Sequence, residues 1–139
     1  MVDCGVLSCS PQTPIEKRLR FLYVGLSKII AKHKPNEVAI EEPFIGHNVK
    51  SAFAIGRAQA IAILAAANDG LPVYYYSPAQ VKRQVASYGG SGKEQIQEMV
   101  KIQLGLPQPP QLGDAADALA VAICHIQESH FNRWLAKRS

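Results

Sequence analysis

Two aspartates, Asp114 and Asp117, stand three residues apart in the stretch Gly113 to His125, GDAADALAVAICH. On a helix that spacing projects both carboxylates from one face, about 5–6 Å apart at Cβ. Both positions fall in what reads as the first turn, where unpaired N–H groups and the positive end of the helix dipole favour anionic side chains. A cap and a dipole partner would account for either aspartate alone. The pair is followed at once by Ala118, Leu119, Ala120, Val121, Ala122 and Ile123. A helix apolar on nearly every side is buried, and buried like charges need protons or a cation. A hard divalent metal is one such cation.

A third carboxylate is a candidate for the same cluster. Val38, Ala39 and Ile40 form a short apolar run that ends in Glu41 and Glu42, which reads as a buried strand with acids at its C-terminal end. Ligands of open parallel sheets bind beyond the carboxyl ends of the strands. If the last helix starts beside that end, Glu41, Asp114 and Asp117 make an oxygen-rich set of the kind preferred by Mg²⁺ or Mn²⁺. Paired divalent ions about 4 Å apart can activate a water and stabilise a leaving oxygen in phosphodiester hydrolysis. The competing reading, that Glu41 merely ends a strand and faces water, carries equal weight on pattern alone. Glu42 is expected on the opposite face.

Other residues fit a nucleic-acid partner. The run YGGSGKEQ places Gly92 and Lys93 at a helix start but fails as a Walker A loop, with Tyr88 in place of the first glycine and Glu94 in place of Ser or Thr. Lys82, Arg83 and Lys93 are near in sequence and suit contacts to a phosphate backbone, although a solvated face explains any one of them. Phe44, just past the acidic strand end, is placed to stack on an unpaired base, or else to fill core. His125, on an apolar helix, reads as a core histidine.

These residues need elements to hold them. Val2 to Ser10 reads as a strand. Thr13 with Glu16 forms a capping box, with Pro14 at the first helical position, for a helix whose apolar stripe is Leu19, Leu22, Leu26, Ile29 and Ile30. After the Val38 strand, a helix is predicted from Asn48 to Asn68, a strand from Pro72 to Tyr76 and a short helix from Pro78 to Val85. Ser91 with Glu94 predicts another capping box for a helix to about Leu104, closed by Gly105. The order indicates an α/β layered domain with a mostly parallel sheet.

A chain of 139 residues suits one domain with a real core. Apolar residues at 47% and charged residues at 19% exclude a disordered chain. The +4 charge fits an anionic partner without requiring one. Cys4, Cys9 and Cys124 show neither CxxC spacing nor an even count, so reduced thiols are expected. The alanine-rich run from Ala58 to Ala67 is too short to span a bilayer, and no signal peptide is visible. A soluble cytoplasmic protein is the expectation.

Taken together, AIEEPF (Ala39 to Phe44), GRAQA (Gly56 to Ala60), PAQVK (Pro78 to Lys82), the GSGKEQ loop and GDAADALAVAICH resemble, in order and spacing, the RuvC family of Holliday junction resolvases. The resemblance runs from about Asp3 to His125. It implies a ribonuclease H-like three-layer α/β fold with a mixed, mostly parallel sheet. It also implies a homodimer that uses Mg²⁺, or Mn²⁺, to nick two strands of like polarity symmetrically across four-way junction DNA in recombination and repair, with branch-migration motor proteins as partners. By position, Glu41, Asp114 and Asp117 resemble three of the family's four metal-binding carboxylates. Phe44 resembles the aromatic that stacks on bases near the crossover, and Lys82 and Lys93 the basic residues that contact the backbone near the cut. The helix from Asn48 to Asn68 resembles the dimer-forming helix.

One departure stands out. The family opens with a strand carrying the first catalytic aspartate in a GIDPG-like motif, then a second strand, and neither has a counterpart here. Asp3, in VDCG, falls instead at the family's third strand and is not assigned to the metal site. The expectation is therefore a single RuvC-like nuclease domain over residues 1–139, N-terminally truncated and missing its first two strands. The alternative, from another class, is a catalytically impaired junction-binding or dimerisation module.

Overall fold

The computed structural model describes residues 1–42, 48–85 and 92–138. They form α1 (Ile15–His33), β1 (Val38–Glu41), α2 (Val49–Asn68), β2 (Val73–Tyr76), α3 (Pro78–Val85), α4 (Lys93–Leu104) and α5 (Gly113–Ala136). The chain divides into two compact units. One joins residues 1–6 to 76–139, and the other is residues 7–75.

In the unit of residues 7–75, α1 packs on α2. Asn68 Nδ2 donates a 2.6 Å hydrogen bond to the Tyr23 hydroxyl, tying the end of α2 to the middle of α1. Leu7 lies so close to α1 that a Cβ on Gly25 would meet its Cδ1 at 2.8 Å, which explains a glycine in a helix interior. A Schellman turn stops α2: Gly70, at φ +67°, and Leu71 return their N–H groups to Ala67 and Ala66. β1 and β2 then pair in a short parallel sheet. Val38 N–H donates to Pro72 O at 2.9 Å, and α2 is the crossover that a parallel pair requires. At 20 residues, with mean hydropathy 1.3, α2 is also the one helix among the described residues long and apolar enough to cross a membrane. The alanine-rich run seen in the sequence is only part of it.

In the other unit, α5 packs on both α3 and α4. Its core is Tyr76, Val81, Val85, Val100 and the buried side of α5: Ala115, Ala116, Ala120, Val121, Ile123 and Cys124. Alanines at the helix contact let backbones approach closely. Gly105, at φ +62°, ends α4, and Leu106 N–H returns to Lys101 O.

Several expectations need correction. Val2 to Ser10 is not a strand; a strand needs a ladder, and the sheet of the described residues holds β1 and β2 only. The Thr13–Glu16 capping box does not form. Helix α1 starts one residue later than that pattern requires, with Pro14 as N-cap and no side-chain cap bond. The Thr13 N–H is spent in a turn to Ser10 O. Helix α4 starts after Gly92, again with no side-chain cap bond, and Ser91 lies outside the described residues. A true capping box stands where none was expected. Ser77 Oγ accepts from Gln80 N, Gln80 Oε1 accepts from Ser77 N, and Pro78 takes the first position of α3.

Ala116→Leu is expected to lower unfolding free energy by about 1–3 kcal/mol through overpacking. Ala122→Leu, on the exposed side of α5, should stay within about 0.5 kcal/mol of the parent. Denaturant melts of the two variants check the contrast.

Candidate active site

The N-cap of α5 is Leu112, and no side chain caps the helix. Neither Asp114 nor Asp117 is therefore a cap. Asp114 lies in the first turn, where it complements the dipole. Asp117 begins the second turn, one turn further along than the sequence reading placed it, so the dipole accounts for it less well.

Direction around the helix separates them further. At about 100° per residue, Asp117 points within about 20° of Cys124 and about 40° of Val121, both buried. It projects along the middle of the arc that packs into the core two turns later, and is itself half-buried. Asp114 sits at the edge of that arc and is exposed, while Ala118, Ala122 and Ile126 mark the solvent side. Two carboxylates thus stand one turn apart near the start of α5, one exposed and one half-buried, with no side-chain cap beside them. Hard oxygen donors in that setting fit a divalent cation.

The remaining candidates are placed as follows. Glu41 is the last residue of β1 and exposed, after the half-buried Val38, Ala39 and Ile40; it belongs to the unit of residues 7–75. Lys82 is exposed in the last turn of α3, and Lys93 is exposed at the first position of α4. Phe44 lies outside the described residues. Among the described residues, no three His, Cys, Asp or Glu side chains gather as a group that could hold a metal.

The structure adds features that spacing did not reveal. His125 is buried, as expected of a core histidine, and its Nδ1 lies 2.7 Å from the Tyr76 hydroxyl with the rings edge to face. Tyr76 read in sequence only as an aromatic strand residue. An open polar cleft of about 580 Å³ is lined by Gln80, Arg83, Gln84, Gln103, Gln127 and Glu128 from three helices. No periodicity in the sequence marks glutamines so far apart as neighbours. Burial, and secondarily the Glu128 carboxylate, push the Cys124 thiol up from its ordinary value.

The family model described as crossover junction endodeoxyribonuclease RuvC matches residues 1–125. The chain belongs to the RuvC family. Membership makes it an endonuclease of the crossover-junction class. A RuvC of Dehalococcoides mccartyi strain BAV1 is 54% identical over 135 residues, covering 96% of this chain and 81% of that protein. A RuvC of Pelotomaculum thermopropionicum is 46% identical over 137 residues, covering 99% and 82%. Thermus thermophilus RuvC, solved in complex with a Holliday junction substrate, superposes with TM-score 0.85 at 34% identity, over 92% of this chain and 78% of that one. The ribonuclease H-like class expected from the sequence holds, although the described sheet is smaller than the expected one.

Two outcomes are expected at this site's supporting core. Tyr76→Phe removes the hydrogen bond to His125 and should cost about 1–3 kcal/mol in a denaturant melt. Thiol labelling at neutral pH should modify exposed Cys4 readily and Cys124 at least about 10²-fold more slowly until denaturant is added, since only the thiolate reacts and burial holds Cys124 protonated.

Proposed function

We propose that this RuvC-family chain resolves Holliday junctions in DNA recombination and repair by symmetric, Mg²⁺-dependent phosphodiester hydrolysis, with Mn²⁺ able to replace Mg²⁺. The observation that carries the reading is the placement of Asp114 and Asp117: uncapped, one turn apart, and with Asp117 aimed along the core-facing arc of α5. Glu41 is the third carboxylate of the proposed metal set, on the strength of its position in the family's AIEEPF-like motif. An ion held by Glu41, Asp114 and Asp117 would supply charge neutralisation for phosphodiester hydrolysis.

The chain's own residues divide the remaining work. Lys82 and Lys93, both exposed, offset the charge that builds on the phosphate and grip the backbone near the cut. Phe44 is assigned to base stacking at the crossover. Symmetric cutting needs two sites, and we assign the homodimer contact to α2, whose Val49 and Phe53 are each more than 60% exposed in the single chain. Residues 1–139 act on this reading as one nuclease domain, in the cytoplasm, with branch-migration motor proteins as partners.

Asp117→Asn is expected to cut the rate of junction nicking by at least about 10²-fold while leaving junction binding in place. Nicking of a labelled four-way junction with Mg²⁺, read beside a gel-shift titration, measures both. Undiminished nicking by the variant refutes the carboxylate assignment. Binding without nicking by the unsubstituted chain would make it a junction-binding module instead.

A further inference from the structure

The family match ends at residue 125, but α5 runs on to Ala136. That last stretch has its own chemistry. From Ser129 to Arg138 there is no acidic residue, and Arg133, Lys137 and Arg138 are all exposed. Phe131 and Trp134 stack with ring centroids 6.2 Å apart, and the Arg138 guanidinium lies 4.0 Å over the Trp134 ring. Arg133 Nε donates to Ser129 O at 3.2 Å. Two of the three cations are thus held in place before any partner arrives. None of the three is ion-paired among the described residues. The negative end of the helix dipole favours cations here, yet its reach is the last turn and its demand is modest.

We propose that the end of α5 is a second DNA contact, a phosphate clamp on a duplex arm away from the cut. The inference rests on the reading above in taking junction DNA as the substrate. Charge decides the kind of partner: three exposed cations, two of them held in place, without an intervening acid complement a phosphate backbone. The aromatics favour the same answer over an apolar protein groove, because Trp134 is already engaged by Phe131 and Arg138 and serves to brace the cation. Helix geometry sets the reach. Arg133 and Lys137 lie 16 and 20 residues past Asp117, about 24–30 Å along one straight helix. At about 3.4 Å per base-pair step that axial distance spans about seven to nine base pairs, and because Arg133 and Lys137 head about 160° away from Asp117 around the helix, the arm they hold runs along the solvent side of α5 and not across the face of the cut.

The test is the triple variant Arg133→Gln, Lys137→Gln, Arg138→Gln in the full chain, with four-way junction DNA as the probe. Each lost phosphate contact should flatten the plot of log affinity against log salt by about 0.9. Between 50 and 200 mM salt the parent should therefore lose about 40-fold more affinity than the variant. Hydroxyl-radical footprints should lose their outermost protected positions, up to about nine base pairs from the cut. Arg133→Lys with Arg138→Lys keeps the charges and should keep the salt slope, which separates charge from fold. A triple variant with the parent's slope and footprint overturns the clamp and leaves this helix end to an acidic protein partner. Failure of the nuclease reading shows differently: the parent binds with the steep slope and never nicks.

Discussion

Among the described residues, Val85, Val100 and Cys124 are the largest side chains fully excluded from water, and α3, α4 and α5 contribute one each. The close contact of these three helices is the constraint on which the site depends. Alanine at 115, 116 and 120 lets α5 lie near its neighbours, and that proximity sets how closely its axis approaches α3 and α4. Small side chains supply only modest hydrophobic free energy apiece, on the order of 25 cal/mol for each Å² buried. Their contribution is geometric. A bulkier contact would stand α5 off from α3 and α4 and change where its first turns point.

Asp117 sits uneasily in that arrangement. It points where Val121 and Cys124 point and is half-buried, so its carboxylate loses water on one side. An alanine in its place would suit folding better. Positions where local preference and global packing disagree are those at which function is expected to compete with stability. Asp114 shows no such conflict, since the dipole and solvent both accept it. The two aspartates look alike in the sequence, and the fold gives them different surroundings.

Much of this was legible beforehand. Both strands and the starts of all five helices stand close to where periodicity and turn chemistry put them, because Gly70, Gly105 and the Pro78 start are local signals that need no tertiary partner, whereas α5 runs on to Ala136, past the stretch to His125 that the sequence marked. The acid pair was legible for the same reason: three-residue spacing is a property of one helix. What depended on distant residues was not. Val2 to Ser10 has strand composition but no ladder. Thr13 and Glu16 have the right types, and the helix starts one residue later than they require. The Tyr76–His125 bond joins positions 49 apart, and the cleft glutamines come from three helices. Family motifs carried more of the functional reading than any of these.

The hydrogen bond between Tyr76 and His125 can be restated as a bearing on a compass. Successive residues of a helix turn by about 100°, so His125, eleven residues past Asp114, comes back to within about 20° of the same heading. Fastening the His125 ring therefore fixes the heading of Asp114 three turns away, without touching it. Had α5 docked one residue out of step, both carboxylates would swing by more than a quarter of a circle, and apolar packing among so many alanines would barely register the error. A polar bond with one correct partner does register it. In a helix whose contact surface is nearly featureless, that single phenol–imidazole pair acts as the index mark that makes one rotational setting unlike the others.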